Sequence, residues 1–94
     1  MRSRVVLKVR GRKGDYWVYT LSMWLRELKW LIEEEYGLDV KIVEEDCELE
    51  APQVYVNDLL AVVGVPGEEG YLYEAIKKVL DSIVGPGARR GEES

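Results

Sequence analysis

At the start of the chain Val5, Leu7 and Val9 alternate with Arg4, Val6, Lys8 and Arg10. A period of two predicts a strand over residues 4–10 with one dry face. After the glycine-punctuated run RGRKGD the period changes. Trp17, Leu21, Trp24, Leu25, Leu28, Leu31 and Ile32 fall on one broad arc at about 100° per residue, which predicts a helix. Asp15 is its expected cap, and Gly37, after Tyr36, its left-handed stop. The run YWVYT at 16–20 is also good strand material, so a hairpin around GRKGD followed by a shorter helix is the alternative there.

Residues 38–45, LDVKIVEE, predict a second strand with Val40 and Ile42 inward. The acidic loop DCELEAP follows and ends in proline. QVYVN and LLAVVG predict two short strands turning at Asn57–Asp58. A last helix, from about Glu68 to Val84, carries the stripe Leu72, Ile76, Val79 and Ile83 and is stopped by Gly85–Pro86. Residues 86–94, PGARRGEES, are expected to form a mobile tail. The order β-α-β-β-β-α requires a right-handed parallel crossover and then a hairpin that returns the last helix to the sheet. The expected architecture is α/β, one mixed four-stranded sheet with two helices mainly on one face, as a single domain over residues 1–85.

Composition narrows the chemistry. The longest apolar run, Leu59 to Val63, is too short to span a bilayer, and no signal-peptide stretch follows the basic start, so a cytoplasmic protein is expected. One cysteine and no histidine exclude an internal disulfide, a CxxC pair, the common zinc-ligand sets and histidine-dependent triads. No cofactor or metal is expected. A single Asn, Gln and Thr beside many Glu, Lys, Arg and Val suggest a thermophilic source.

The element order, together with APQVYVND and VVG, resembles the thioredoxin-like fold in its small glutaredoxin form. There a cis proline opens the third strand, in the place taken here by Ala51 and Pro52 ahead of Gln53, Val54, Tyr55, Val56 and Asn57. A glycine closes the fourth strand, as Gly64 does here. The resemblance implies a cis Ala51–Pro52 bond, and it implies a redox pair in a slot near Tyr19–Ser22. That slot reads YTLS and holds no thiol, and a hydroxyl cannot replace either partner of a thiol exchange. The implied protein is a redox-inactive, non-catalytic module that works through protein–protein contact.

Four groups of residues are candidate sites. The first thirteen residues hold Arg2, Arg4, Lys8, Arg10, Arg12 and Lys13 and no acid. Arg10, Arg12 and Lys13, around Gly11 and Gly14, are candidates for an anion, or for nucleic acid with Tyr16, Trp17 and Tyr19 stacking beside segment 4–13. No Walker or dinucleotide pattern accompanies them. A parallel crossover also sets RGRK beside EEDCELE, where Glu44, Glu45, Asp46, Glu48 and Glu50 would neutralise it. That reading, with a net charge of −5, is the preferred one. Cys47 is a candidate thiol near the Pro52 edge, although acidic neighbours disfavour a thiolate. The glutamate runs carry no spacing that defines a metal or acid–base site and read as solvated charge.

The remaining candidates are partner surfaces. Tyr19, Met23 and Trp30 lie within about 40° on the first helix, away from its apolar arc. Either they pack on the last helix or they form an interface. Val6, Val43 and Tyr55 lie on the sheet face opposite both helices, among Arg4, Lys8, Arg10 and Lys41. Two such patches predict a homodimer that buries Trp30 or Tyr55.

Overall fold

The computed structural model describes residues 3–84. Gly85–Pro86 and the expected tail at 86–94 lie outside the described residues. Six elements follow in order: β1 (Arg4–Gly11), α1 (Tyr16–Tyr36), β2 (Asp39–Asp46), β3 (Gln53–Val56), β4 (Leu59–Val63) and α2 (Glu69–Val84). The sheet order is β2-β1-β3-β4, with β1 parallel to β2 and the other neighbours antiparallel. This is the expected α/β arrangement of one mixed four-stranded sheet and two helices.

Register explains the two faces of the sheet. Leu7 stands opposite Ile42 on β2 and Val56 on β3, so one row of the pleat is wholly apolar. In the next row Lys8 stands between Val43 and Tyr55, and Tyr55 pairs on with Leu60. Val5, Leu7, Val9, Val40, Val54 and Val56 are buried on the first face. They pack with Leu21, Leu25, Leu28 and Ile32 of α1 and with Leu72, Ile76 and Leu80 of α2 in one core. Both helices therefore cover the same face.

Local chemistry sets the ends of these elements. The Asp15 carboxylate accepts the Trp17 N–H at 2.8 Å, and Gly37 sits at φ 66° with its N–H on the Glu33 carbonyl at 2.9 Å. With that cap in place residues 16–20 are helix, and the hairpin alternative is not taken up. At the β3–β4 turn Asn57 adopts φ 56° and extends the ladder to β1. Its N–H donates to the Val6 carbonyl at 2.7 Å, and its Oδ1 accepts the Val6 N–H at 3.0 Å. Opposite β3, β4 passes from Leu60 to Val62 between Tyr55 and Val54, which leaves Ala61 as the extra residue of a bulge.

The last helix corrects one expectation. Leu80 is fully buried and Ile83, expected in the stripe, is 40% exposed. Leu80 faces the core and the final turn of α2 leaves it. The seam between the helices is polar: Tyr36 donates to Asp81 Oδ1 at 2.9 Å, Tyr73 donates to Glu35, and Lys77 lies 3.6 Å from Glu35. Among the described residues no helix is long and apolar enough to cross a membrane.

Candidate functional site

At the end of the sheet where β1 and β2 finish, four segments converge. Gly11 closes β1, and a methyl group on it would lie 2.4 Å from Val18 Cγ2 and 3.4 Å from Pro52 Cβ. Only glycine lets the first turn of α1 and the start of β3 approach the strand so closely. Above this contact opens a cavity of about 640 Å³. Tyr16, Trp17, Thr20 and Trp24 of α1 form one wall. Glu50, Ala51 and Pro52 form the second, and Gly64 to Gly67, from the loop before α2, form the third. Pro52 is buried, and its carbonyl accepts the Gly64 N–H at 2.7 Å, which ties the second and third walls together.

The chemistry of this cavity is aromatic. The Tyr16 and Trp17 rings meet edge to face, centroids 5.1 Å apart and planes at 71°. Trp17 is 52% exposed although its position belongs to the apolar arc of α1. The Thr20 hydroxyl is spent on the Tyr16 carbonyl at 3.1 Å. No thiol, amine or guanidinium is among the lining residues, and Glu50 is their one carboxylate.

Two expectations at this site are corrected. The Ala51–Pro52 bond is trans: among the described residues there is no cis peptide. The Pro52 carbonyl is bonded to the Gly64 N–H with the bond trans, so the ordinary trans preference prevails. The helix residues that reach the cavity are Tyr16, Trp17, Thr20 and Trp24 rather than the whole of Tyr19–Ser22, because α1 begins at Tyr16. Of the expected slot only Thr20 lines it, while Leu21 and Ser22 are buried and Tyr19 faces outward.

The basic loop meets the acidic one, as a parallel crossover requires. Glu45 Oε1 accepts from Arg10 Nε at 2.6 Å, and Lys8 lies 3.8 Å from the same carboxylate. Arg12 pairs with Glu48 at 3.4 Å, the Lys13 N–H donates to Asp46 at 3.0 Å, and Arg26 of α1 reaches Glu44 at 3.5 Å. Arg10 and Arg12 are thus turned toward carboxylates of their own chain. Arg10 also donates to the Tyr55 hydroxyl at 3.5 Å and to Cys47 Sγ at 3.4 Å, and it lies 5.7 Å from the Tyr55 ring centre. The Tyr55 hydroxyl, and after it Glu45, raise the Arg10 guanidinium above its ordinary value. Cys47 is half-buried and belongs to this cluster rather than to the aromatic cavity.

The partner surfaces are open to differing degrees. Tyr19, Met23 and Trp30 are exposed, Trp30 to 60%. Val6, Val43 and Tyr55 are half-buried by their charged neighbours on the open face of the sheet. A second cavity, of about 510 Å³, lies along the β2 edge between Arg4, Lys29, Glu33 and Lys41, where Glu33 Oε2 accepts the Val40 N–H at 3.0 Å. Among the described residues no group of histidine, cysteine or carboxylate side chains is arranged to hold a metal ion.

Sequence reasoning singled out Pro52 and Ala51 but missed Tyr16, Trp17, Trp24, Glu50 and Pro66 as one site. The available signal was Trp17, an arc residue in a first turn that reaches past the end of the sheet. Compared with known proteins, the chain matches no family model, no curated protein and no solved structure.

Proposed function

We propose that the chain is a non-catalytic binding module, thioredoxin-like in its element order, that works through contact with a partner at the aromatic cavity. The observation that carries this reading is the composition of that cavity: three aromatic rings and two prolines, with no thiol, no histidine and a hydroxyl already committed to the backbone. The parallel β1–β2 pair and the common face of both helices support the thioredoxin-like resemblance. The trans Ala51–Pro52 bond departs from it. Disulfide reduction assayed with an insulin or glutathione mixed-disulfide substrate tests the reading. Turnover is expected at the uncatalysed rate and unchanged in Cys47→Ser; turnover that disappears with Cys47 overturns it.

A second reading, thiol chemistry at Cys47, has one observation in its favour, the Arg10 guanidinium 3.4 Å from the sulfur, and the same assay decides it. Self-association belongs to the proposal as well. The exposed stripe Tyr19, Met23 and Trp30 supports an isologous homodimer, because aromatics and methionine within a charged rim suit an interface. Light scattering should give about twice the chain mass, reduced by Trp30→Glu. A monomer whose mass and stability ignore that substitution removes the dimer.

A further inference from the structure

We propose that the aromatic cavity receives an organic cation, an alkylammonium or guanidinium group, with Glu50 as its counter-ion. This rests on the binding-module reading and names the ligand class of that site. The first argument is the set of surfaces. Indole and phenol faces attract cations through the ring quadrupole, tryptophan most strongly. Tyr16 and Trp17, set at 71°, make a corner that meets a rounded cationic head on two sides. Pro52, Val65 and Pro66 supply apolar floor for the methylene stem that such a head carries.

The second argument is what the chain does with its own charges. Where aromatic rings hold a cation of the chain they are Tyr55, under Arg10, and Tyr73, under Lys77. Among the described residues nothing cationic lies over Tyr16, Trp17 or Trp24. The carboxylates tell the same story. Glu44, Glu45, Asp46 and Glu48 each have a partner in Arg26, Arg10 and Lys8, the Lys13 N–H, or Arg12. Glu50, the last acid of that loop, has no ion pair among the described residues, and it is the one that lines the cavity. An unpaired carboxylate beside aromatic rings that hold no cation, with no basic side chain in the lining, matches a cation in charge and in shape. The anionic alternative finds no cationic side chain in the lining, and the Trp17 backbone N–H in the first turn of α1 is already held by the Asp15 carboxylate. A net charge of −5 adds long-range attraction for cations.

The experiment titrates the intact chain at low salt with choline and with its neutral isostere 3,3-dimethylbutan-1-ol, followed by tryptophan fluorescence and by the indole N–H resonances. Choline is expected to bind at least about tenfold more tightly than the isostere. Glu50→Gln should shrink that difference by weakening choline while leaving isostere binding unchanged, and Trp17→Leu should weaken choline binding with the fold intact by circular dichroism. Spermidine and a capped arginine tripeptide form the other arms. Tighter binding of spermidine assigns the cation to a free polyamine, tighter binding of the tripeptide assigns it to a protein side chain, and either supports the proposal. Equal affinity for choline and the isostere, choline affinity unmoved by Glu50→Gln, or no response to any cation up to about 10 mM overturns it. Thiol turnover through Cys47 would sink the binding-module reading and leave these titrations as they are, so the two failures are distinguishable.

Discussion

The two faces of the sheet are made by the same strands and closed by different physics. On the covered face Val5, Leu7 and Val9 of β1 share one core with two helices and are shut off from water. One residue along, on the open face, Val6, Lys8 and Arg10 meet no helix. Lys8 and Arg10 are held by Glu45, and Arg10 by Tyr55 as well. The first face is stabilised by removing apolar area from water, at roughly 25 cal/mol per Å². The second is organised by exposed ion pairs, each worth about 0–1 kcal/mol, so it fixes geometry more than it adds stability. A face closed by weak pairs is also the face that a partner can enter at small cost.

Neighbouring truncations on β1 test that contrast most directly. Leu7→Ala opens a void in a fully buried row and should cost about 2–5 kcal/mol, measured by urea or thermal unfolding. Val6→Ala, one residue earlier and half-buried on the other face, should cost under about 1 kcal/mol. Comparable losses at the two positions would mean that the open face is covered in solution, and the dimer is the first explanation to check by light scattering.

Gly11 is where the covered face meets the aromatic cavity, and it gives the next largest effect. A methyl group there lies 2.4 Å from Val18 Cγ2, and valine is too stiff at χ1 to move aside freely. Gly11→Ala should therefore cost about 1–3 kcal/mol of stability. It should also shift the Trp17 and Trp24 indole resonances, since the first turn of α1 must lift. A variant as stable as the parent, with those signals unmoved, would mean that α1 does not rest on β1 at this point.

The difference between the faces also explains what could be seen in advance. Val5, Leu7 and Val9 alternate, and Leu21, Leu25, Leu28 and Ile32 recur at helical spacing, because each repeats against one continuous apolar surface. Asp15 and Gly37 mark the ends of α1 through chemistry that acts within a few residues. The meeting of RGRK with EEDCELE follows from handedness and register alone. The cavity had no such signature, since Trp17, Glu50, Pro52 and Pro66 come from three separate segments and share no period. Trp17 falls on the apolar arc of the wheel, and a wheel does not show that the first turn overhangs the sheet. The cis bond at Ala51–Pro52 was expected from resemblance and not from any local physical demand, and there the structure differs. Ile83 failed for a similar end effect, where the stripe of α2 continues beyond the core that it was written for.

Charge sorting separates the two sides of the molecule once more. Every ion pair described on the open face joins opposite signs, whereas the helix layer holds two acids together, Glu27 and Glu69. The hydrogen bond to Glu27, then burial, then the Glu27 charge raise the Glu69 carboxyl above its ordinary value. A folded-state value above the unfolded one means that the native protein holds this proton more tightly than the unfolded chain does. The stabilising contribution is then complete below the usual glutamate range and is lost as pH rises through the raised value. Glu69→Gln keeps a donor toward Glu27 at every pH and removes the titration. At pH 7 the variant should melt higher than the parent. At a pH below the ordinary glutamate range the two melting temperatures should converge, because the parent then carries a neutral carboxyl in the same place. Thermal melts of both proteins across that window measure the difference for the Glu27–Glu69 pair as a unit. Curves that stay parallel from low pH to neutral would show that the two carboxyls do not share a proton, and that the helix seam is as free of like-charge strain as the open face.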